Sequence, residues 1–168
     1  MQRDFMSDKE YADIMESRYI NWLTNRNLDW CHTPHTYWMD FHNVKRISEA
    51  PYEYDFLVKG KGVELKSLAG GYSTAVIEKW SDDYRHREPG WRKSTRFNKL
   101  HWIIIENRSN GLWFLYDAGV LLEAIDSYPE TLLTRAHNNC RDDSGWIAKF
   151  NWYDKDFGYK CTINPDMI

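Results

Sequence analysis

Asp55, Glu64 and Lys66 are the side chains whose types and spacing could do chemistry together. Glu64 and Lys66 are two apart in Val63-Glu64-Leu65-Lys66-Ser67, so on a β-strand they share one face while Val63 and Leu65 take the other. Asp55 lies in the preceding β-prone run, Tyr54-Asp55-Phe56-Leu57-Val58, separated by Lys59-Gly60-Lys61-Gly62. A glycine-bearing linker between two such runs predicts a hairpin, which brings Asp55 beside Glu64 and Lys66. Two carboxylates that meet favour a hard divalent cation such as Mg²⁺, which takes oxygen ligands and keeps waters for substrate phosphate. A lysine beside that cation can ease hydroxide formation or offset charge on a pentavalent phosphate. Those parts suffice for metal-assisted phosphodiester hydrolysis. The same E-x-K pattern also occurs in amphipathic strands for solubility alone.

The elements that would position this hairpin follow from the flanking pattern. Ser7-Asp8-Lys9-Glu10 has the form of a capping box. Tyr11, Ile14, Met15, Tyr19, Trp22 and Leu23 recur at helical spacing after it, which predicts a helix from Ser7 to about Thr24. An aromatic-rich connection runs from Asn27 to Asn43. Beyond the hairpin, Ser73 to His86 reads as helical, Pro89-Gly90 ends it, and Trp91 to Leu100 reads as a second short helix. His101–Glu106 and Leu112–Tyr116 read as strands joined through an Asn-Gly turn, and Ala118 to Ile125 as a helix. Trp146 to Ile163 suggests one or two more strands. With 168 residues, and no repeat, low-complexity segment or Pro/Ser-rich linker, the pattern predicts one domain.

Taken together, the hairpin and its flanking helices resemble the PD-(D/E)XK nuclease superfamily. Its signature here is Asp55, a hairpin turn, then Glu64-Leu65-Lys66. The Pro-Asp dipeptide is absent, since Pro51 precedes Asp55 by four positions. The resemblance covers about residues 7 to 106. It implies an α/β fold with a restriction-endonuclease-like αβββαβ core, a mixed central sheet flanked by helices. It also implies that Asp55 and Glu64 ligate Mg²⁺, with Mn²⁺ able to substitute, that the Leu65 carbonyl can complete the site, and that Lys66 is the catalytic lysine. A further catalytic carboxylate from the first helix is implied; Glu16 is the matching candidate, with Glu10 and Asp13 competing. The single domain 1–168 then divides into a core of about 7–116 and a C-terminal elaboration, 117–168.

The formal charge of −3 speaks against a nucleic-acid binder until it is partitioned. Residues 58–99 hold 10 basic and 5 acidic side chains, whereas each flanking segment is acidic by four. Within this stretch Lys79, Arg85, Arg87, Arg92, Lys93, Arg96 and Lys99 alternate with Trp80, Tyr84, Trp91 and Phe97, a composition suited to phosphates and exposed bases. The expectation is that these seven cations, with Ser67 after the lysine, meet DNA on a flexible Pro89-Gly90 loop while the acidic ends face elsewhere. Trp80 and Phe97 read more readily as core. Trp30, Trp38 and Trp91 are further candidates for DNA contact.

Other motifs carry less. Cys31-His32-Thr33-Pro34-His35 with His42 offers zinc-type ligands, but no second ligand pair follows at finger spacing, and Cys140 and Cys161 are isolated. His35, Asp40 and His42 could approach the hairpin rim, although incidental loop histidines explain them more simply. A Cys31–histidine nucleophile pair lacks an oxyanion site. Asn107-Arg108-Ser109 fits a glycosylation tripeptide and reads as a turn. The longest apolar run, Leu112–Tyr116, is far short of the ~20 residues that cross a bilayer, and the first ten residues lack the apolar region of a secretory signal. An intracellular, cytoplasmic chain without membrane contact is expected. The combined expectation is an Mg²⁺-dependent endonuclease cutting double-stranded DNA site-specifically in the manner of phage or intron homing enzymes. Cutting both strands calls for a homodimer or higher symmetric assembly. The alternatives are a Holliday-junction-resolvase-like nuclease and a catalytically silent nucleic-acid-binding domain on the same core.

Overall fold

The computed structural model describes residues 5–32, 54–68, 73–136 and 145–167. The chain opens with α1 (Phe5–Asn25), which starts two residues ahead of Ser7, so Ser7 lies within the helix and not at its cap. The helix ends as its sequence allows. Asn27 adopts φ 53°, Leu28 N–H donates to the Leu23 carbonyl (3.2 Å) and Asn27 N–H to that of Thr24 (3.1 Å). This is a left-handed C-terminal cap with an apolar Leu23–Leu28 clasp.

The strands are β1 (Trp30–His32), β2 (Phe56–Val58), β3 (Lys61–Leu68), β4 (Ala75–Trp80), β5 (Trp102–Asn107), β6 (Leu112–Asp117), β7 (Thr134–Arg135), β8 (Trp146–Phe150) and β9 (Tyr159–Ile163). Among the described residues, two further α-helices are α2 (Gly90–Arg96) and α3 (Ala118–Asp126). The fold is therefore α/β. Its main sheet has six strands in the order β1-β2-β3-β5-β6-β9, and β4-β8-β7 form a second. β1, β2 and β3 are successively antiparallel, β3 and β5 are parallel, and β6 and β9 each run antiparallel to the strand before them. The hairpin turn is tighter than the sequence suggests. Lys59 (φ 51°) and Gly60 (φ 77°) alone make it, with Val58 opposite Lys61. Positive φ at both central positions matches the right-handed strand twist.

The predicted helix over 73–86 is instead strand β4 and a connecting turn. Ala75, Val76 and Ile77 are buried in succession, and a β-branched run packs better on a sheet than on a helix of that length. Most other elements fall within two residues of their expected bounds, but α2 ends at Arg96, four residues short of Leu100, and β1 and β7 appear where no strand was expected.

The main sheet is covered on both faces. Met15, Tyr19 and Leu23 of α1 pack with Phe56, Val63, Ile104 and Trp113 on one face. Each such burial is worth about 1.5–3 kcal/mol. On the other face Ile103, Ile105, Phe114 and Tyr116 meet Trp91 of α2, Leu121 and Ile125 of α3, Ala75 and Ile77 of β4, and Ala148 and Phe150 of β8. Residues beyond 116 are thus built into the core through α3, β8 and β9.

Candidate functional site

Alternation along β3 sends Val63 and Leu65 toward α1 and leaves Glu64 and Lys66 on the opposite face, over Ile103 and Ile105. Asp55 immediately precedes β2. Its N–H donates to the Val63 carbonyl (3.0 Å), which sets it opposite Glu64 across the hairpin. Its Oδ2 accepts from the Leu65 N–H at 2.8 Å, so one carboxylate oxygen extends the ladder where the strand ends. Lys66 Nζ stands 3.9 Å from Glu64 Oε1, and these side chains are 30% and 25% exposed. The structure thus brings Asp55, Glu64 and Lys66 to one rim, half open to solvent.

The charge of a third carboxylate, Glu78, reaches Lys66. Burial lowers the Lys66 pKa, but the charges of Glu64, Glu78 and Asp55 outweigh it and raise the pKa overall. Glu78 is exposed on β4. Sequence reasoning missed it because a helix over 73–86 hides which residues face the hairpin. No local signal marks it, since alternation along Ala75-Val76-Ile77-Glu78 turns Ala75 and Ile77, not Glu78, toward the main sheet.

Glu16 is placed differently. Its helix packs, through Met15 and Tyr19, on the Val63 face, opposite Glu64 and Lys66. Glu10 and Asp13 ride on the same helix. None of the three is brought to the rim by the packing of α1. Ser67 also points away from Lys66. Its hydroxyl donates to buried Glu106 Oε1 (2.9 Å) and accepts from Arg108 Nε (2.9 Å). Glu106 Oε2 accepts from Trp113 Nε1 (2.9 Å) and lies 3.5 Å from Arg18. Ser67 is therefore a member of a structural polar network on the α1 face.

The basic stretch is largely neutralised within the fold, and by the acidic last third that was expected to face elsewhere. Lys79 is 4% exposed; its Nζ donates to the Tyr128 carbonyl (2.9 Å) and pairs with Glu130 (2.8 Å). Arg92, 3% exposed, donates to the Lys79 carbonyl (2.7 Å) and to Asp126 (2.5 Å). Arg96 is held by Glu88 (2.7 Å) and Asp126 (2.6 Å). Arg85 lies 3.7 Å over the Trp146 ring, and the Arg87 guanidinium donates to Ser81 Oγ. Pro89 is buried at the start of α2, so Pro89-Gly90 begins a helix and does not form a loose loop. Lys93 and Lys99 remain exposed. Trp91 is core, its indole donating to the Glu78 carbonyl (2.8 Å), whereas Phe97 is 76% exposed, the reverse of the expectation for both.

The rim's donor set, carboxylate oxygens beside an ammonium, suits a hard cation. Among the described residues no group of three or more His, Cys, Asp or Glu side chains is gathered closely enough to hold a metal ion by itself. A cation held by Asp55 and Glu64 would complete its shell with water and substrate oxygens, as Mg²⁺ characteristically does. Cys31 and Cys161 are free and exposed. His35, Trp38, Asp40, His42 and Cys140 lie outside the described residues, as does the middle of the aromatic connection. Among the described residues no helix is long and apolar enough to cross a membrane. In comparisons with known proteins, no family model, no curated protein and no solved structure matches the chain.

Proposed function

We propose that this chain is a metal-dependent endodeoxyribonuclease with a restriction-endonuclease-like core. The observation that carries the reading is the convergence of Asp55, Glu64 and Lys66 on one half-open rim of the β2–β3 hairpin. The element order supports it too. With β4 set aside, the elements among the described residues, α1, β1 to β3, α2 and β5, follow the αβββαβ sequence. Asp55 and Glu64 would hold Mg²⁺ or Mn²⁺, which when bound supplies Lewis acidity and a more acidic water. Lys66 presents its ammonium to the non-bridging oxygens of the scissile phosphate and offsets the charge that builds there. Asp55, tied to Leu65 N–H, fixes the spacing of the two hairpin strands beneath the phosphate. Glu64, Glu78 and Asp55 together raise the Lys66 pKa, Glu64 most among the three charges. Double-strand cleavage needs two such rims, hence a symmetric homodimer.

One observation favours a second reading, a catalytically silent domain. The carboxylates of Glu88, Asp126 and Glu130 occupy Lys79, Arg92 and Arg96, which reduces the cationic surface available to DNA. Nicking of supercoiled plasmid and cutting of linear and branched DNA, with Mg²⁺ or Mn²⁺, separates the two. The nuclease reading expects cleavage by wild type and a loss of at least about 100-fold in Asp55→Ala and Lys66→Ala that fold normally by circular dichroism. No cleavage of any substrate, or wild-type cleavage by both variants, overturns it.

A further inference from the structure

Phe97 stands 76% exposed at the C-terminal end of α2, one of four exposed aromatic rings among the described residues, with Tyr84, Tyr153 and Tyr11. It is held rigidly. Its N–H donates to the Lys93 carbonyl (3.1 Å), Asn98 adopts φ 59° and donates to the Thr95 carbonyl (3.0 Å), and Lys99 N–H donates to that of Ser94 (2.8 Å). This is the same left-handed cap that ends α1. The ring is therefore presented on a fixed backbone and not on a loose loop. Lys93, one helical turn before it, and Lys99, two residues after it, are both exposed. Among the described residues, neither is held by a carboxylate as Lys79, Arg92 and Arg96 are.

The tip adjoins the candidate rim. Gly62 lies on the same face of β3 as Glu64, two residues or about 7 Å along the strand. A Cβ at Gly62 would collide with the Lys99 carbonyl, so only bare backbone lets the tip sit this close.

We infer that the exposed Phe97 ring, flanked by Lys93 and Lys99, is a stacking platform for an unpaired DNA base, whose backbone then runs past Gly62 to the Glu64–Lys66 rim. An aromatic face stacks on any base, and flanking lysines neutralise the adjacent phosphates. Inside an intact duplex the base faces are already stacked, so the preferred substrate is DNA with a single-stranded arm beside the cleaved phosphate. The assignment rests on the nuclease reading for its substrate but is tested by binding alone.

The experiment measures fluorescence anisotropy, in EDTA to suppress cleavage, of a duplex bearing an unpaired arm against the fully paired duplex. Wild type is expected to bind the armed duplex more tightly. Phe97→Ala is expected to weaken that binding about 5- to 100-fold and to leave the paired duplex within twofold, while Phe97→Trp restores it. Lys93→Ala with Lys99→Ala lowers the salt slope on the arm by about 1.4. Equal binding of both DNAs by wild type, an unchanged Phe97→Ala, or no DNA binding overturns the inference. So does a Phe97→Ala variant that loses self-association in sedimentation and retains arm binding, since the ring is then a contact between copies. Lys66→Ala distinguishes the two readings. Phe97-dependent arm binding without wild-type cleavage sinks the nuclease reading alone, and Lys66-dependent cleavage without a Phe97 effect sinks the platform alone.

Discussion

Asp126→Ala tests whether the basic stretch is held inside the fold or offered to DNA. Asp126 accepts from Arg92, which is 3% exposed, and from Arg96 at 2.9 and 2.6 Å. Removing one partner of a buried ion pair costs about 3–5 kcal/mol when the other charge is left alone. Arg92 would retain Glu88 at 3.2 Å and the Lys79 carbonyl at 2.7 Å, so the expected loss is smaller, about 2 kcal/mol. For a domain of 168 residues that lowers Tm by roughly 4–8 °C, read by thermal circular dichroism. The same substitution releases one of two carboxylates from Arg96, which is 39% exposed. DNA binding by the variant, measured against salt below its Tm, should steepen by up to about one unit of slope. A variant that melts within 1 °C of wild type would refute the claim that Arg92 depends on this carboxylate. Unchanged salt dependence together with a lowered Tm would refute only the release of Arg96.

Gly62→Ala should cost more than about 2 kcal/mol or prevent folding, because its Cβ meets main chain at Lys99; urea unfolding checks it, and a wild-type midpoint would remove the close approach. Ser67→Ala should lower stability by about 1 kcal/mol, since it strips a hydroxyl from Glu106 and Arg108, yet leave DNA affinity unchanged; a selective loss of affinity would return Ser67 to the phosphate-binding role. Acid should destabilise the fold through Asp126 and Glu130. Burial raises both pKa values, but hydrogen bonds from Arg96 and Arg92 to Asp126, and from Lys79 and Trp80 to Glu130, outweigh it and lower them. Carboxyls depressed in the folded state stabilise it above their unfolded pKa, and that contribution is lost as pH falls from about 5 through the folded values. A urea midpoint flat between pH 6 and 3 would count against those pairs. Glu78→Gln should leave the fold intact and reduce cleavage, because Lys66 loses one of the negative charges that act on it; equal cleavage would place Glu78 outside the site.

The hairpin was legible because its determinants are local. Two-residue alternation fixes which face Glu64 and Lys66 share, and Lys59-Gly60 supplies the turn, so few distant contacts are needed to bring Asp55 alongside. The Leu112–Asp117 strand and the Ala118–Asp126 helix were legible for the same reason, with Gly111 at φ 72° turning the first and Asp117 capping the second. β4 was not. Its Ala75-Val76-Ile77 run satisfies either period until β8 pairs with it, and that pairing spans some 70 residues of chain.

The sequence by itself determined that two carboxylates and a lysine would share one strand-bearing rim, because neighbouring residues on a strand cannot choose their faces independently. Only the tertiary structure decided what the other charges do. A count of ten cations against five anions in residues 58–99 says nothing about Asp126 and Glu130 folding back onto Arg92, Arg96 and Lys79. It also cannot show that α1 packs on the face opposite Glu64 and Lys66, that the charge of Glu78 reaches Lys66, or that Trp91 is enclosed and Phe97 exposed. The physical reason is range. Alternation and turn chemistry act over a few residues, whereas a buried charge is stable only beside a partner that the whole fold must deliver.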